Sequence, residues 1–368
     1  MTMSKFPLRL VFWEITARCN LHCQHCRAEA SAEPEPGELN TDELVQTARQ
    51  VRSVDDPIVI LTGGEPLVRP DFFDVAKGCT RLFSRVALAT NGTLIDGAQA
   101  RRIVSLGIRR ASISLDGAEA RSHDAFRGVP GAFDAALRGF DALRAAGADV
   151  QVNVTLTQRN EPEIDALLAL ALERGACAFH VFVLVPVGCG TQIDAEERLS
   201  AERTERVLER LFEHSVRLRE RLSIKATCAP QYARIMRQMA RRKGIALPTG
   251  PHAMNTATGG CLAGISVCFI SRKGDVRPCG YMPMTAGNVR ETPFPILWDD
   301  AELFSSLRDV SRLSGKCGVC TYRKVCRGCR ARSLALTGNL FAEDQSCAYQ
   351  PPRGATRASR ASSVEPGD

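Results

Sequence analysis

Three cysteines, Cys19, Cys23 and Cys26, stand within eight residues in the order Cys-Asn-Leu-His-Cys-Gln-His-Cys. Thiolates hold soft metals and iron-sulfur centres, and their spacing decides which. A structural zinc site is a closed tetrahedron of paired ligands. Here its fourth donor would have to be His22 or His25, and CxxxCxxC is not the usual paired spacing. Three thiolates in one short loop better suit three corners of a [4Fe-4S] cluster. The fourth iron is then open to a small molecule, as redox activation of an alkyl donor requires.

Eight more cysteines form a second group: Cys261, Cys268, Cys279, Cys317, Cys320, Cys326, Cys329 and Cys347. Eight thiols can ligate two clusters with four each; two zinc ribbons are the alternative. Of the remaining four, Cys79 and Cys177 have apolar neighbours and read as small buried residues. Cys189 follows an apolar run, and Cys228, in Lys225–Tyr232, is the preferred candidate for contact with substrate or a cluster. Disulfides are a poor account of all 15, because the chain is long, shows no export signal and clusters its cysteines tightly. A cytoplasmic address is the expectation.

Composition narrows the partners. With 44% hydrophobic and 24% charged residues, the 368-residue chain is neither a disordered polymer nor a fibre. No apolar run reaches the length of a membrane span. The net charge of +7 is scattered apart from Arg237–Lys243, which fits an anionic small partner rather than nucleic acid.

Six β-rich runs must position the first cysteines: 8–16, 57–62, 85–90, 110–115, 150–156 and 179–186. They alternate with amphipathic helical stretches in units of about 30 residues, which predicts buried parallel strands with right-handed crossovers in an α/β barrel or open sheet. Sites on such folds lie beyond the C-terminal strand ends. There stand Cys19, Gly63-Gly64-Glu65-Pro66, Asn91-Gly92, Asp116-Gly117 and Pro186-Val187-Gly188. Any one of these could be a plain turn. One long helix is expected over 195–222 as the last on the barrel, which ends at 222. Residues 223–260 read as a linker contacting substrate, 261–350 as a domain held by metal ligation, and 351–368 as a disordered tail.

The triad and Gly63–Pro66 resemble the CxxxCxxC and GGEP motifs of the radical S-adenosylmethionine (SAM) superfamily. The resemblance implies a partial (β/α)6 TIM-like barrel, a [4Fe-4S] cluster with an open iron site, and SAM. His25 departs from the family's usual aromatic residue but still offers a flat ring. By the same likeness Gly63, Gly64 and Glu65 approach the SAM amino group, while Asn91, Ser114 and Asp116 line its ribose and methionine. Arg27 would meet a carboxylate of SAM or substrate. Cys261, Gly274 and Cys279, followed by Cys317–Cys329, resemble the family's SPASM domain. Its last cysteine gap, Cys326-Arg-Gly-Cys329, is one residue short. The family pattern implies two auxiliary [4Fe-4S] clusters: an inner one on Cys261, Cys268, Cys279 and Cys329, and an outer one on Cys317, Cys320, Cys326 and Cys347.

Within that family, Arg9–Ala30, His180–Gly188, Lys225–Tyr232, Gly260–Gly280 and Cys320–Arg332 resemble the haem synthases of the sirohaem-dependent route. This likeness implies oxidative decarboxylation of two propionates of an anionic tetrapyrrole, iron-coproporphyrin III, with an electron donor such as flavodoxin or ferredoxin. Arg127, Arg234 and Arg237 would meet the propionates, and His180 is a weaker candidate for the haem iron. The alternatives are a maturase that crosslinks a precursor peptide and an enzyme acting on a haem d1 precursor or didecarboxysirohaem. Only about seven residues precede the first strand, where many peptide maturases carry a recognition domain. A non-enzymatic iron-sulfur module would not need Glu65, Asn91 and an open triad together.

Overall fold

The six apolar runs form parallel strands: β1 (Leu10–Glu14), β2 (Ile58–Thr62), β3 (Val86–Thr90), β4 (Arg110–Ser114), β5 (Asp149–Leu156) and β6 (Ala178–Val183). The computed structural model describes residues 4–247 and 259–352. Among these it adds four strands to one ten-stranded sheet of order β10-β9-β8-β1-β2-β3-β4-β5-β6-β7. β7 (Ser223–Thr227) runs parallel to β6, and β8 (Val267–Ile270) runs parallel to β1. β9 (Asp275–Arg277) and β10 (Gly287–Asn288) complete an antiparallel meander.

The parallel part therefore has eight strands, not six, and the expected linker at 223–260 is largely structural. It supplies β7 and the helix α8 (Tyr232–Lys243), although 248–258 lie outside the described residues. The run SIKAT is short and puts Ser, Lys and Thr on one face, so it lacks the continuous apolar signal of its neighbours. The expected helix over 195–222 is also divided. A 3-10 turn at Ala195–Glu197 precedes α7 (Ala201–Arg217), which begins where the Ser200 hydroxyl accepts the Arg203 N–H at 3.2 Å. Serine competes with helical hydrogen bonding and so starts a helix rather than continuing one. Of the tail at 351–368, residues 353–368 lie outside the described residues.

Along β5 and β6, Val150, Val152, Val154, Phe179, Val181 and Val183 are buried in the core with residues of the crossover helices, among them Leu167, Leu168 and Leu211. Strand side chains alternate between faces. Ser114, Asn153, Thr155, His180, Phe182, Lys225 and Thr227 therefore look the other way, into the concave lumen, and each is only half-buried. The core is the apolar layer outside the strands; the lumen face is largely polar on β4–β7 and apolar on β1 and β2, where Phe12, Ile58 and Ile60 stand.

Candidate active site

The loop after β1 carries the triad. Glu14 at the strand end is buried and tied to Arg27 at 2.9 Å and Arg272 at 2.6 Å. Arg27 also lies over the Phe269 ring, 4.7 Å from its centroid. The expected role of Arg27 toward a ligand carboxylate is thus taken by Glu14, which anchors the loop.

The three thiols are close enough for Cys23 and Cys26 both to raise the Cys19 pKa. Burial is the larger cause and pushes it to about 12. Donors point at every sulfur: Leu21 N–H at Cys19 Sγ (3.4 Å), Arg127 Nη1 at Cys23 Sγ (3.6 Å) and Ala30 N–H at Cys26 Sγ (3.5 Å). Asn91 Nδ2 stands 4.0 Å from Cys19 Sγ. Such a set fits a negatively charged cluster, whose sulfurs are stabilised by hydrogen bonds. Cys189 adjoins it, its N–H bonded to the Cys26 carbonyl at 2.9 Å.

Gly63 and Gly64 are required by the approach of this loop to the end of β2. Gly64 N–H donates to Thr16 O (2.8 Å) and Glu65 N–H to Arg18 O (2.7 Å). A Cβ on Gly64 would lie 2.6 Å from Ala17 O and nearer still to Arg18 O. Gly64→Ala must displace the backbone leading into Cys19, so we expect a loss of about 1–3 kcal/mol, the range for overpacking, read as a lower unfolding midpoint.

The Glu65 carboxylate is engaged by the fold itself. It is fully buried and already accepts Thr90 Oγ1 (2.7 Å), Leu67 N–H (3.2 Å) and Asn91 N–H (2.7 Å). Burial raises its pKa against these donors. Its side chain shapes the loop carrying Asn91, which is itself occupied: Nδ2 bonds Asn20 Oδ1 at 2.8 Å and Oδ1 accepts Thr93 N–H at 2.9 Å.

Asp116 departs further from expectation. Its side chain is wholly buried; Oδ1 accepts Thr155 N–H at 2.6 Å, and Oδ2 faces Arg127 Nη2 at 2.5 Å and His25 Nε2 at 3.4 Å. Burial would raise its pKa, but the Arg127 charge, helped by His25, holds it below the usual carboxylate range. Asp116 is therefore tied to the triad loop from behind. His25 stacks on Phe126 at 4.3 Å, and burial keeps it neutral with a pKa of about 4. Of the expected SAM contacts, only Ser114 presents an unoccupied side chain to the lumen among the described residues.

Four other thiols gather beside the lumen, but not the expected four. Cys228, Cys261 and Cys279 pack with Cys329 around Val185, Ala263 and Met282. Cys228 and Cys329 share a hydrogen bond that raises the first and lowers the second, with Arg332 favouring the Cys329 thiolate. Cys228 has φ +55°, a left-handed conformation uncommon outside glycine, which turns the chain at the end of β7. Cys268 is instead fully buried on β8, opposite Val11 of β1 in the main core, and burial alone raises its thiol pKa. The structure thus brings Cys228, and not Cys268, beside Cys261, Cys279 and Cys329, because strand pairing places residue 268 in the core.

Cys317, Cys320, Cys326 and Cys347 line one cavity together with Arg234, Arg327 and Tyr349. Asp344 N–H points at Cys317 Sγ (3.5 Å) and Tyr322 N–H at Cys320 Sγ (3.4 Å). The short Cys326-Cys329 gap is closed by two successive left-handed residues, Arg327 (φ +66°) and Gly328 (φ +64°). That tight turn sends Cys326 to the outer set and Cys329 to the inner one. Cys79 is buried in the core, and the Cys177 thiol donates to Val150 O at 3.0 Å, so both are structural.

Two of the three arginines expected at propionates are already paired with a carboxylate: Arg127 is held by Asp116 and Cys23, and Arg234 by Glu205 at 2.5 Å and Gln238 at 2.6 Å. Arg237 makes one hydrogen bond, to the Ala233 carbonyl on its own helix at 3.2 Å. His180 Nδ1 meets Gln151 Nε2 at 2.8 Å.

Residues 13–171 match the model of the radical SAM superfamily, and 261–330 match the SPASM model, an iron-sulfur cluster-binding domain. An AdoMet-dependent heme synthase of Methanosarcina barkeri is 47% identical over 93% of this chain and 97% of its own length. One of Oleidesulfovibrio alaskensis is 45% identical over 93% and 88%. The solved structure of Streptococcus suis SuiB bound to S-adenosylmethionine superposes with a TM-score of 0.73 at 20% identity, covering 94% of this chain and 78% of that one, which shows the shared fold. No helix among the described residues is long and apolar enough to cross a membrane. Motifs, sheet order and full-length kinship agree: the chain belongs to the radical SAM superfamily and, within it, to the SPASM-bearing family of the AdoMet-dependent haem synthases.

Proposed function

We propose that this protein converts two propionate side chains of iron-coproporphyrin III to vinyl groups, forming protohaem. The observation that carries this reading is identity of 47% along nearly the whole of both chains with an AdoMet-dependent heme synthase. A lumen with a polar wall on β4–β7, between the triad and the inner thiol group, supports it. When bound, the open-site cluster supplies the electron that cleaves SAM to methionine and a 5'-deoxyadenosyl radical. With SAM and substrate bound, this chemistry would take the hydrogen β to the carboxylate, giving 5'-deoxyadenosine, and the propionate would become a vinyl group by losing carbon dioxide and passing one electron to an acceptor.

In this reading Cys19, Cys23 and Cys26 hold the open-site cluster, with Gly63, Gly64 and Ser114 on the SAM side. Cys228, Cys261, Cys279 and Cys329 would hold the inner auxiliary cluster, which would supply an acceptor for the outgoing electron. Cys317, Cys320, Cys326 and Cys347 hold the outer one. The chain's own contribution is positioning and exclusion of water, since an unquenched radical goes where it is aimed. The electron donor is a flavodoxin or ferredoxin and the compartment is the cytoplasm. The barrel unit extends from residue 8 through β7 and α8, and the SPASM unit spans 261–350.

The test is anaerobic incubation of reconstituted protein with SAM, a strong reductant and iron-coproporphyrin III, followed by mass analysis. Two successive losses of carbon dioxide plus two hydrogens are expected. SAM cleavage with the porphyrin unchanged would overturn the substrate while leaving the radical chemistry standing.

A further inference from the structure

Arg127 and Arg234 are already paired with carboxylates, and the lumen offers a separate place for the recognition of a polycarboxylate. The sheet register puts Ser114, Asn153, His180 and Lys225 in one continuous row across β4, β5, β6 and β7. At one end of the row Ser114 stands on the strand leading to Asp116. At the other, Lys225 lies three residues before Cys228 of the inner thiol set.

A hydrogen-bond chain fixes the middle of the row. Arg110 Nη2 donates to Gln151 Oε1 at 3.0 Å, which sets the orientation of that amide. Its Nε2 then donates both to Asn153 Oδ1 (2.6 Å) and to His180 Nδ1 (2.8 Å). With Nδ1 accepting, the neutral imidazole carries its proton on Nε2, and that N–H has no partner among the described residues. Burial, with the nearby charges of Lys225 and Arg110, keeps His180 in this neutral form.

Directly beside it, Lys225 is half-buried on the lumen face. Its ammonium makes no hydrogen bond or ion pair among the described residues. Burial lowers its pKa with no carboxylate to offset it. Partial removal of a cation from water without a counter-charge is unfavourable, and the fold offers this lysine no partner among the described residues. Lys225 and His180 are register partners on adjacent strands, so an ammonium and an N–H donor stand side by side on the lumen face, where each can bond one oxygen of a carboxylate.

We propose that Lys225 and His180 form a carboxylate-binding pair that seats one propionate of the tetrapyrrole between the SAM side and the inner thiol set, with Arg110 and Gln151 as positioning residues. This inference rests on the functional reading above. The ammonium group neutralises the anchoring propionate, and the His180 Nε2–H fixes its direction, so the macrocycle enters with a neighbouring propionate presented for reaction.

The test is an absorbance titration of anaerobically reconstituted protein with iron-coproporphyrin III, alongside iron-octaethylporphyrin, a porphyrin without carboxylates, in the same detergent. Lys225→Met should weaken binding of the tetracarboxylate about 10- to 100-fold, the scale of a hydrogen bond to a charged group. Lys225→Arg should restore most of it, and the carboxylate-free porphyrin should not distinguish the variants. Should the methionine variant lose iron on purification, Lys225→Gln repeats the measurement with a polar side chain of no charge. Equal affinities of wild type and Lys225→Met for iron-coproporphyrin III overturn the pair while the functional reading stands. Absence of binding by the wild type overturns both.

Discussion

Cys228→Ala is expected to remove about a third of the iron and sulfide from the reconstituted protein, while Cys268→Ala keeps all of it. The first loss follows if three centres of equal nuclearity are present, each depending on its cysteine thiolates. Cys228 stands against Cys261, Cys279 and Cys329 at the end of β7 in a strained left-handed conformation. Such strain persists only where surrounding structure over-determines it, commonly at functional sites. Cys268 is enclosed by the apolar core between β1 and β8, so its truncation removes one buried sulfur and costs about 1–2 kcal/mol of stability. Product formation should disappear in the Cys228 variant, because the substrate radical has lost its electron acceptor. SAM cleavage should persist. Iron and sulfide counts on the two purified variants decide the matter: retention by Cys228→Ala and loss by Cys268→Ala would reinstate the ligand set drawn from the family pattern.

Arg127→Met should be the most damaging single change outside the cysteines. Its guanidinium joins Asp116 at 2.5 Å to Cys23 Sγ at 3.6 Å, and both Arg127 and Asp116 are buried. Removing one partner leaves an uncompensated carboxylate in the interior, which costs about 3–5 kcal/mol. The expected readout is a large fall in the denaturation midpoint. The reduction potential of the remaining open-site cluster should also fall, since a positive donor to its sulfur favours the reduced, more negative state. The double variant Arg127→Met with Asp116→Asn should recover part of the stability, because no unpaired charge remains, but none of the potential. If the double variant is as unstable as the sum of the two single ones, the pair is not coupled and the anchor role given to Asp116 fails.

Glu65, Asn91 and Asp116 show where reading residue types at strand ends succeeds and where it stops. The sequence places all three at the mouth, and they are there. It does not say whether each polar atom faces a ligand or the neighbouring loop. Buried polar groups must be satisfied, and the fold satisfies these with Thr90, Asn20, Arg127 and backbone N–H groups. Gly63 and Gly64 are likewise explained by the approach of two loops.

β7 was hidden in a segment that reads as a linker, because its lumen face is polar and its run is short. With β7 went the meaning of Cys228 and Lys225, both set by that strand's register. Local signals by themselves determined the triad, the alternation of strand and helix, the cysteine-rich second unit and the family, since short-range spacing and periodicity carry them. Only the tertiary structure decided which thiols meet and which charges are already spent. Cys268 is taken into the core by pairing of β8 with β1, and Cys228 is delivered to Cys329 across about 100 residues of chain, contacts between distant segments that no local spacing encodes.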